Sequence, residues 1–251
     1  MLLKLLKYEL RASYARILAA FAVYTLIFLP SVLFFRQNEL LLALLIMLGV
    51  VGLPVITFLT IFQRYNTNLY HSEGYLMFTL PVGGKKLLAS KMLAAALWSL
   101  LLVVMSAAYL AVYFAAAGLW AKILPEVAKA ALPPSFWLSL ALGWVVSLFL
   151  GVLEIYFAIS FSKLPVFRKF GVPVGFVAYF VLNSLPSVPV LLFGYFHPVR
   201  AAAATDGLRF VDMLRDMVPA FNGVQTAVNL VFAVGLFFAT AWLLENKTSL
   251  R

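Results

Sequence analysis

The sequence consists of long apolar blocks separated by short polar stretches. Each apolar block is long enough for an α-helix to cross the hydrocarbon core of a bilayer, which takes about 20 residues. The pattern predicts six transmembrane helices, at residues 17–35, 40–62, 87–119, 136–161, 170–196 and 223–244. The predicted fold is therefore all-α and polytopic, with one membrane domain over residues 1–251.

Proline modifies several of these spans. Pro30 and Pro54 fall inside the first and second, and Pro173, Pro186 and Pro189 fall inside the fifth. Kinks at proline are tolerated in a membrane when neighbouring groups satisfy the freed carbonyls. The proline cluster predicts that the fifth span is broken near residues 183–189. The third span exceeds what a bilayer needs, so we expect it to tilt or protrude.

Composition excludes a soluble protein. Hydrophobic residues make up 65% of the chain and charged residues 11%, whereas a soluble domain keeps roughly a quarter of its residues charged. The net charge of +10 would suggest nucleic acid in a soluble protein, but basic cytoplasmic loops explain it here, and no nucleic-acid partner is expected. The chain has no cysteine and two distant histidines, His71 and His197, so no metal site is expected.

The basic residues indicate the orientation. Thirteen of the 19 Lys and Arg residues fall on the side that carries both termini, and six fall on the other side. The richer side is expected to be cytoplasmic, which places both termini inside and requires an even number of spans. The first span is expected to be an uncleaved anchor rather than a secretion signal.

The segment 1–16 precedes the first span and is amphipathic. On a helix, Lys4, Lys7 and Arg11 share a narrow face beside a broad leucine face. Such a helix lies in the membrane interface, with its basic residues toward anionic headgroups. The alternative is that the segment simply extends the first span into the cytoplasm.

The longest predicted cytoplasmic loop, residues 63–86, combines polar and aromatic side chains. Tyr65 and Leu69 fall one helical turn apart, and Gly74 is placed to end a short helix. Aromatic residues on a short cytoplasmic helix are suitable anchors for a protein partner. The alternative is a solvated loop whose tyrosines lie at headgroup level.

The outer segment 197–222 is predicted to contain an amphipathic helix. Asp206 is a suitable N-cap for a helix that reaches Val218. Such a helix would cap the bundle or gate an exit path.

Glu154 is the one carboxylate well inside a predicted span. An ionisable group at that depth is a functional-site hypothesis. Three alternatives stay open: Glu154 is protonated, it pairs with a basic residue such as Lys91, or it lies on a transport pathway.

Enzymatic motifs are absent from the sequence. It has no G-x-x-x-x-G-K-[ST] phosphate-binding loop, no H-E-x-x-H and no G-x-S-x-G. No catalytic residue is predicted, and the chain is not expected to hydrolyse ATP.

Gly171 and Gly175 form a G-x-x-x-G pair that could pack closely against another helix.

The cytoplasmic loop resembles a known family. The residues that carry the resemblance are Arg64-Tyr65, the stretch E-G-Y-L-M-F-T-L-P-V at 73–82, Leu87-Leu88 and Ser90-Lys91. They are similar to those of the ABC type 2 exporter permeases, in particular the small six-span subunits of Gram-positive bacteria. The match covers about 30 residues. Gly83-Gly84 departs from the family, which usually has an N-capping residue and a basic residue there.

The resemblance implies a membrane subunit of an ATP-driven exporter in the bacterial cytoplasmic membrane. It implies that residues 64–73 form a coupling helix that docks on a separately encoded ABC ATPase, which would bind ATP and Mg. It also implies that two permease copies, identical or paralogous, surround one pathway. The coupling residues expected on this basis are Arg64, Tyr65, Leu69, Tyr70, Glu73, Gly74 and Tyr75.

Two other functional classes remain open at this stage. An autonomous secondary transporter or channel would use intramembrane ionisable residues, of which Glu154 is one. A membrane-embedded interaction or immunity protein would not transport at all.

If the chain is an exporter subunit, the exported solute is expected to be lipophilic or amphipathic.

Overall fold

The computed structural model describes residues 2–35, 38–70, 83–167, 170–196 and 207–246. Nearly all of them are helical, and no strand occurs in these ranges. The helices are α1 (Leu2–Phe34), α2 (Glu39–Tyr70), α3 (Gly84–Ala116), α4 (Trp120–Ala130), α5 (Pro134–Ser162), α6 (Gly171–Ser184), α7 (Ser187–Phe196) and α8 (Gly207–Asn246). A single 3-10 turn, Pro165–Phe167, follows α5.

Six segments of the described chain are long and apolar enough to cross a membrane. They correspond one to one with the six predicted spans, so the chain is an all-α, multi-pass membrane protein. The predicted break in the fifth span is confirmed, because α6 ends at Ser184 and α7 begins at Ser187. Leu185 and Pro186 lie between them, and Pro186 lacks one backbone N–H donor at the break.

The chain forms two compact units, Met1–Glu126 and Val127–Arg251. In the first unit, α1, α2 and α3 each pack against the other two. In the second, α5 packs against α6 and α8, and α8 also packs against α7. Each unit therefore holds three of the six spans. The prediction of one domain over the whole chain stays a prediction.

Helix α1 is one continuous helix, which corrects the prediction of a separate interfacial helix at 1–16. Its buried residues recur every three or four positions from one end to the other, which marks a single packing face. They are Glu9, Ser13, Ile17, Phe21, Tyr24, Phe28 and Val32. Because this packing face continues to residues that precede the predicted span, segment 1–16 extends the first span. This is the alternative to the interfacial helix that the sequence left open.

Helix α2 also extends beyond its predicted end. The predicted second span stopped at residue 62, but the helix runs on to Tyr70 without interruption. Leu53, Thr57 and Thr60 are buried within the predicted span, and Tyr65, Asn68 and Leu69 are buried beyond it. The expected separate coupling helix at 64–73 is therefore, as far as the structure describes it, the last part of α2.

Helix α8 likewise merges two predicted elements. The outer amphipathic helix and the sixth span form one helix from Gly207 to Asn246, with Pro219 inside it. The predicted N-cap, Asp206, lies outside the described residues. Proline is tolerated within a membrane helix when neighbouring groups satisfy the freed carbonyl.

An aromatic and aliphatic core fills the first unit. Tyr24, Phe28 and Tyr109 form a cluster of three rings with centroids 4.8–5.6 Å apart. The Tyr24 hydroxyl donates to the Leu45 carbonyl oxygen at 2.9 Å, and its ring occupies the space beside Gly49. The remaining buried members of this core are Ile17, Phe21, Val32, Leu42, Leu53 and Trp98.

Candidate functional site

Glu9 is the centre of a charged cluster that joins the three helices of the first unit. Its Oε1 lies 2.6 Å from Lys91 Nζ, and its Oε2 lies 3.6 Å from Arg64 Nη2. Asn68 Nδ2 donates to Glu9 Oε1 at 3.4 Å. The side chains of Glu9 and Lys91 are only 8% and 3% exposed, whereas Arg64 is 25% exposed. One carboxylate of α1 thus connects to residues of both α2 and α3.

A second polar contact ties α1 to α3 one turn further along. The indole Nε1 of Trp98 donates to Ser13 Oγ at 2.8 Å, and Ser13 Oγ donates to the Glu9 carbonyl oxygen at 2.8 Å. Trp98 and Ser13 are both buried. A buried hydrogen bond that loses one partner costs about 1–3 kcal/mol, so these contacts restrict how α1 and α3 can slide past each other.

Apolar side chains close to the cluster residues along the chain are buried as well. Tyr65, Leu69, Leu87 and Leu88 are each no more than 3% exposed. Ion pairs in such surroundings carry a desolvation cost, and removing one partner leaves an uncompensated charge that costs about 3–5 kcal/mol. The cluster therefore specifies one packing arrangement of the three helices rather than adding much net stability.

The residues of the charged cluster come from the helices on both sides of one chain segment. Arg64 and Asn68 belong to the end of α2, and Lys91 belongs to the first turns of α3. Between these helices lies the segment 71–82, which is outside the described residues and contains most of the sequence resemblance. Both helices that flank the segment are therefore held to α1 through Glu9.

Glu154 and Lys91, which the sequence offered as one possible pair, each contact another residue. Lys91 contacts Glu9 in the first unit, and Asn183 is a hydrogen-bond partner of Glu154, because its Nδ2 donates to Glu154 Oε2 at 3.2 Å. Sequence analysis missed Glu9 because segment 1–16 was assigned to the membrane surface. The available signal was that Glu9 is the one acidic residue in that segment and precedes Ser13 and Ile17 at spacings of four.

The expected coupling residues fall into two groups. Tyr65 and Leu69 are buried, at 1% and 0% exposure, and Tyr70 is half-buried with its ring centroid 6.3 Å from that of Tyr65. Glu73, Gly74 and Tyr75 lie outside the described residues. Tyr65 and Leu69 thus stabilise the end of α2 from inside, and their expected use as exposed anchors needs correction. The docking role of the segment as a whole stays a prediction.

The basic residues of the N-terminal segment are on the outside of α1. Lys4, Lys7 and Arg11 are exposed, and Arg16 reaches α2 through a 3.1 Å hydrogen bond from Nη1 to Gln63 Oε1. The three exposed basic residues are accessible to lipid headgroups. They belong to one continuous helix with the first span, however, and not to a separate helix in the membrane plane.

The second unit contains its own buried carboxylate. Glu154 on α5 is 2% exposed, and Asn183 lies in the last turn of α6, next to the helix break. The G-x-x-x-G pair packs these two helices together. A Cβ atom added to Gly171 would lie 3.0 Å from the Ser162 carbonyl oxygen, and one added to Gly175 would lie 3.2 Å from the Ser162 Cβ atom. The two glycines therefore allow α6 to approach α5 closely, which holds Asn183 beside Glu154.

Helices α5 and α8 are joined by neutral polar groups. Asn229 Nδ2 donates to Ser147 Oγ at 2.9 Å, and Gln225 Nε2 donates to Asn229 Oδ1 at 2.6 Å. Hydrogen bonds of this type connect transmembrane helices where lipid offers no alternative partner. In the part of the chain that the structure describes, no group of three His, Asp or Glu residues is arranged to hold a metal ion.

Comparison with known proteins identifies no relative: no family model, no curated protein and no solved structure matches this chain.

Proposed function

We propose that the protein is the transmembrane permease subunit of an ATP-driven ABC exporter for a lipophilic or amphipathic solute. In this proposal a separate ABC ATPase subunit binds ATP and Mg, and this chain binds no cofactor. A second permease copy or a paralogue completes the transport pathway. The protein would act in the bacterial cytoplasmic membrane, with both termini on the cytoplasmic side.

One observation carries the proposal: Glu9 holds both helices that flank the segment 71–82. Arg64 and Asn68 of α2 and Lys91 of α3 all contact its carboxylate. A displacement of the segment would therefore reach α1, α2 and α3 together instead of being absorbed by a loose loop. Such a connection is what a permease needs to convert movement of an ATPase into movement of its spans.

The mechanism that follows is a shift between two arrangements of the spans. ATP-driven closure of the ATPase dimer would press on the segment 71–82, and the three helices held by Glu9 would move as one body. The nucleotide would then bias the permease between inward-facing and outward-facing arrangements. No ionisable group of this chain needs to change charge for that step.

The site of docking is revised by the burial of Tyr65 and Leu69. We assign direct contact with the ATPase to Glu73 and Tyr75, together with the half-buried Tyr70. Interfaces of this kind depend on a few aromatic or charged anchors whose truncation costs about 2 kcal/mol or more. Tyr65 and Leu69 contribute by keeping the end of α2 helical and packed.

The test is co-purification of the chain with a separately encoded ABC ATPase of the same organism. Replacing Glu73 and Tyr75 together by alanine should lower the amount of ATPase retained by tenfold or more, about 1.4 kcal/mol. The matched control is Thr67→Ala, because Thr67 is an exposed residue of α2. If the double variant retains its ATPase and transports at the native rate, the coupling assignment is wrong. Failure of the native protein to bind the ATPase at all would reject the exporter proposal.

A second candidate function is supported by Glu154. A buried carboxylate beside a broken transmembrane helix resembles the ion sites of secondary transporters. This alternative predicts solute transport by the chain alone, driven by an ion gradient. Transport in vesicles that contain the permease without ATPase or ATP would favour it over the exporter.

A further inference from the structure

Helix α4 (Trp120–Ala130) is a short helix in a stretch between the third and fourth predicted spans to which the sequence analysis assigned no element. It is 11 residues long and lies between two spans, joined to α3 by residues 117–119 and to α5 by residues 131–133. At 1.5 Å per residue it is about 16 Å long, which is half of the roughly 30 Å hydrocarbon core. It cannot cross the membrane.

The residues of α4 divide into two opposite faces. Trp120, Ile123, Leu124 and Val127 follow the i, i+3, i+4, i+7 spacing of one apolar face. The charged residues lie on the other side of the helix, at Lys122, Glu126 and Lys129. On the apolar face, Leu124 is 56% exposed and Val127 is 43% exposed. The described part of the protein therefore leaves about half of each of these two side chains uncovered.

The first turn of α4 is fastened to α3. The Trp120 indole Nε1 donates to the Ala111 carbonyl oxygen at 3.1 Å, and its ring contacts that of Phe114 edge to face at 5.4 Å. Trp120 therefore folds back on the end of a transmembrane helix, and the beginning of α4 cannot leave the level at which α3 ends.

The last turn of α4 is fastened within the second unit. Arg215 Nη2 of α8 donates to the Ala131 carbonyl oxygen at 3.0 Å and to that of Ala130 at 3.4 Å. Carbonyls at a helix C-terminus lack intrahelical donors, and a guanidinium satisfies them while opposing the negative end of the helix dipole. Ala131 has a φ of 45°, the left-handed conformation in which helices commonly end.

We propose that α4 binds the phospholipid interface of the membrane leaflet at which α3 ends. Leu124 and Val127 enter the boundary of the acyl chains, and Lys122 and Lys129 face the phosphate groups. Two observations identify lipid as the partner. Links of only three residues to spans on both sides keep α4 at the membrane boundary. The exposed Trp137, in the first turns of α5, is the residue type that concentrates at headgroup level.

This inference does not depend on the proposed transport function. An amphipathic helix of this kind lies in the interface plane with its apolar side about 5–10 Å into the boundary between headgroups and acyl chains. The Trp120 and Arg215 contacts then act as positioning contacts, because they set the height of both ends of α4 without touching lipid.

The experiment uses the full-length protein, which has no native cysteine, reconstituted at low density in phosphatidylcholine–phosphatidylglycerol vesicles. Single variants Leu124→Cys and Lys122→Cys carry a nitroxide label, and Val127→Cys repeats the test of the apolar face. We expect oxygen, which concentrates in lipid, to relax the labels at 124 and 127. A water-soluble nickel chelate should relax the label at 122 several-fold more strongly than these two.

Equal access of the nickel chelate to all three labels would overturn the proposal, because α4 would then be in water. Labels at 124 and 127 that are immobile and shielded from both reagents would also overturn it, because a protein surface would be covering the face. Vesicles of phosphatidylcholine alone test the apolar contribution separately: the labels at 124 and 127 should keep their access to oxygen when anionic lipid is removed.

Discussion

The ammonium group of Lys91 lies 2.6 Å from the carboxylate of Glu9, although the two residues are 82 positions apart in the chain. Lys91 belongs to the sequence stretch that resembles the exporter permeases, whereas Glu9 belongs to a segment that the sequence assigned to the membrane surface. The pair therefore connects the region of the resemblance to the first span. This connection changes which residues are expected to contribute to stability and which to binding.

Leu69 is predicted to stabilise the first unit rather than to bind a partner. It is fully buried, and truncating a buried leucine to alanine typically costs about 2–5 kcal/mol. We expect Leu69→Ala to lower the thermal unfolding temperature of the purified protein. Thr67→Ala on the exposed side of the same turn should change it little. A Leu69→Ala variant with native stability and weakened ATPase binding would instead restore Leu69 as a direct anchor.

The spans could be predicted because hydrocarbon imposes a simple rule of length and polarity. The break in the fifth span was also predictable, because Pro173, Pro186 and Pro189 all fall in that span and each lacks a backbone N–H donor. The ends of α1 and α2 were misjudged for one common reason. Hydropathy marks where a helix leaves lipid. Buried residues outside the apolar stretch, such as Glu9 in α1 and Leu69 in α2, extend the packed helix beyond that point.

Pairs between distant residues were not predictable from the sequence. Lys91 was a candidate partner for Glu154 because it is a basic residue near the cytoplasmic end of a predicted span. Choosing between Glu9 and Glu154 as its partner requires knowledge of which helices are neighbours, and hydrophobic periodicity contains no such information. The same limit applied to α4, whose turn at 117–119 was hidden in a continuous apolar pattern.

The close contact between α5 and α6 depends on two glycines. A Cβ atom at Gly171 would press on the Ser162 carbonyl oxygen, and one at Gly175 would press on the Ser162 side chain. We expect the double variant Gly171→Ala, Gly175→Ala to unfold at a lower temperature. Gly151→Ala is the control, since a Cβ atom at Gly151 would meet nothing within 4 Å, and helical Gly→Ala changes are otherwise favourable by up to about 1 kcal/mol.

Glu154 is predicted to have a structural role through Asn183. Glu154→Gln keeps an oxygen for the 3.2 Å hydrogen bond and removes the cost of placing a carboxylate in the span. The variant should retain most of its transport activity and unfold no earlier than the native protein. Asn183→Ala should cost about 0.5–1.5 kcal/mol in the native background and much less in a Glu154→Leu background.

Complete loss of transport in Glu154→Gln, with folding and ATPase binding intact, would contradict the structural role. It would favour the secondary transporter, in which the carboxylate takes part in coupling. Thermal unfolding and vesicle transport of the same preparations separate the two outcomes.

The orientation derived from the basic residues can be tested at two described positions. Lys7 and Lys129 are both exposed and are predicted to lie on opposite sides of the membrane. With cysteine at position 129, a membrane-impermeant maleimide should label intact cells. With cysteine at position 7, it should label only permeabilised cells. Labelling of both positions from the same side would reject the topology with six spans and two cytoplasmic termini.

The strongest prediction concerns Glu9. Glu9→Ala leaves the ammonium of Lys91, only 3% exposed, without its carboxylate, and such a loss costs about 3–5 kcal/mol. Glu9→Gln should cost less, because its amide oxygen still accepts hydrogen bonds. Arg16→Ala is the control, because it removes an exposed hydrogen bond to Gln63 and should cost at most about 1 kcal/mol.

Exchanging the two charges tests whether Arg64 belongs to the same cluster. Glu9→Lys combined with Lys91→Glu keeps one opposite pair but places a new ammonium beside the guanidinium of Arg64, which lies 3.6 Å from the native carboxylate. We therefore expect the exchange to restore only part of the stability lost in Glu9→Lys alone. Adding Arg64→Met should restore more, because it removes the like charge. If the exchange alone recovers native stability, Arg64 is not coupled to Glu9. The cluster would then join α1 to α3 without α2, and the segment 71–82 would be held at one end rather than at both.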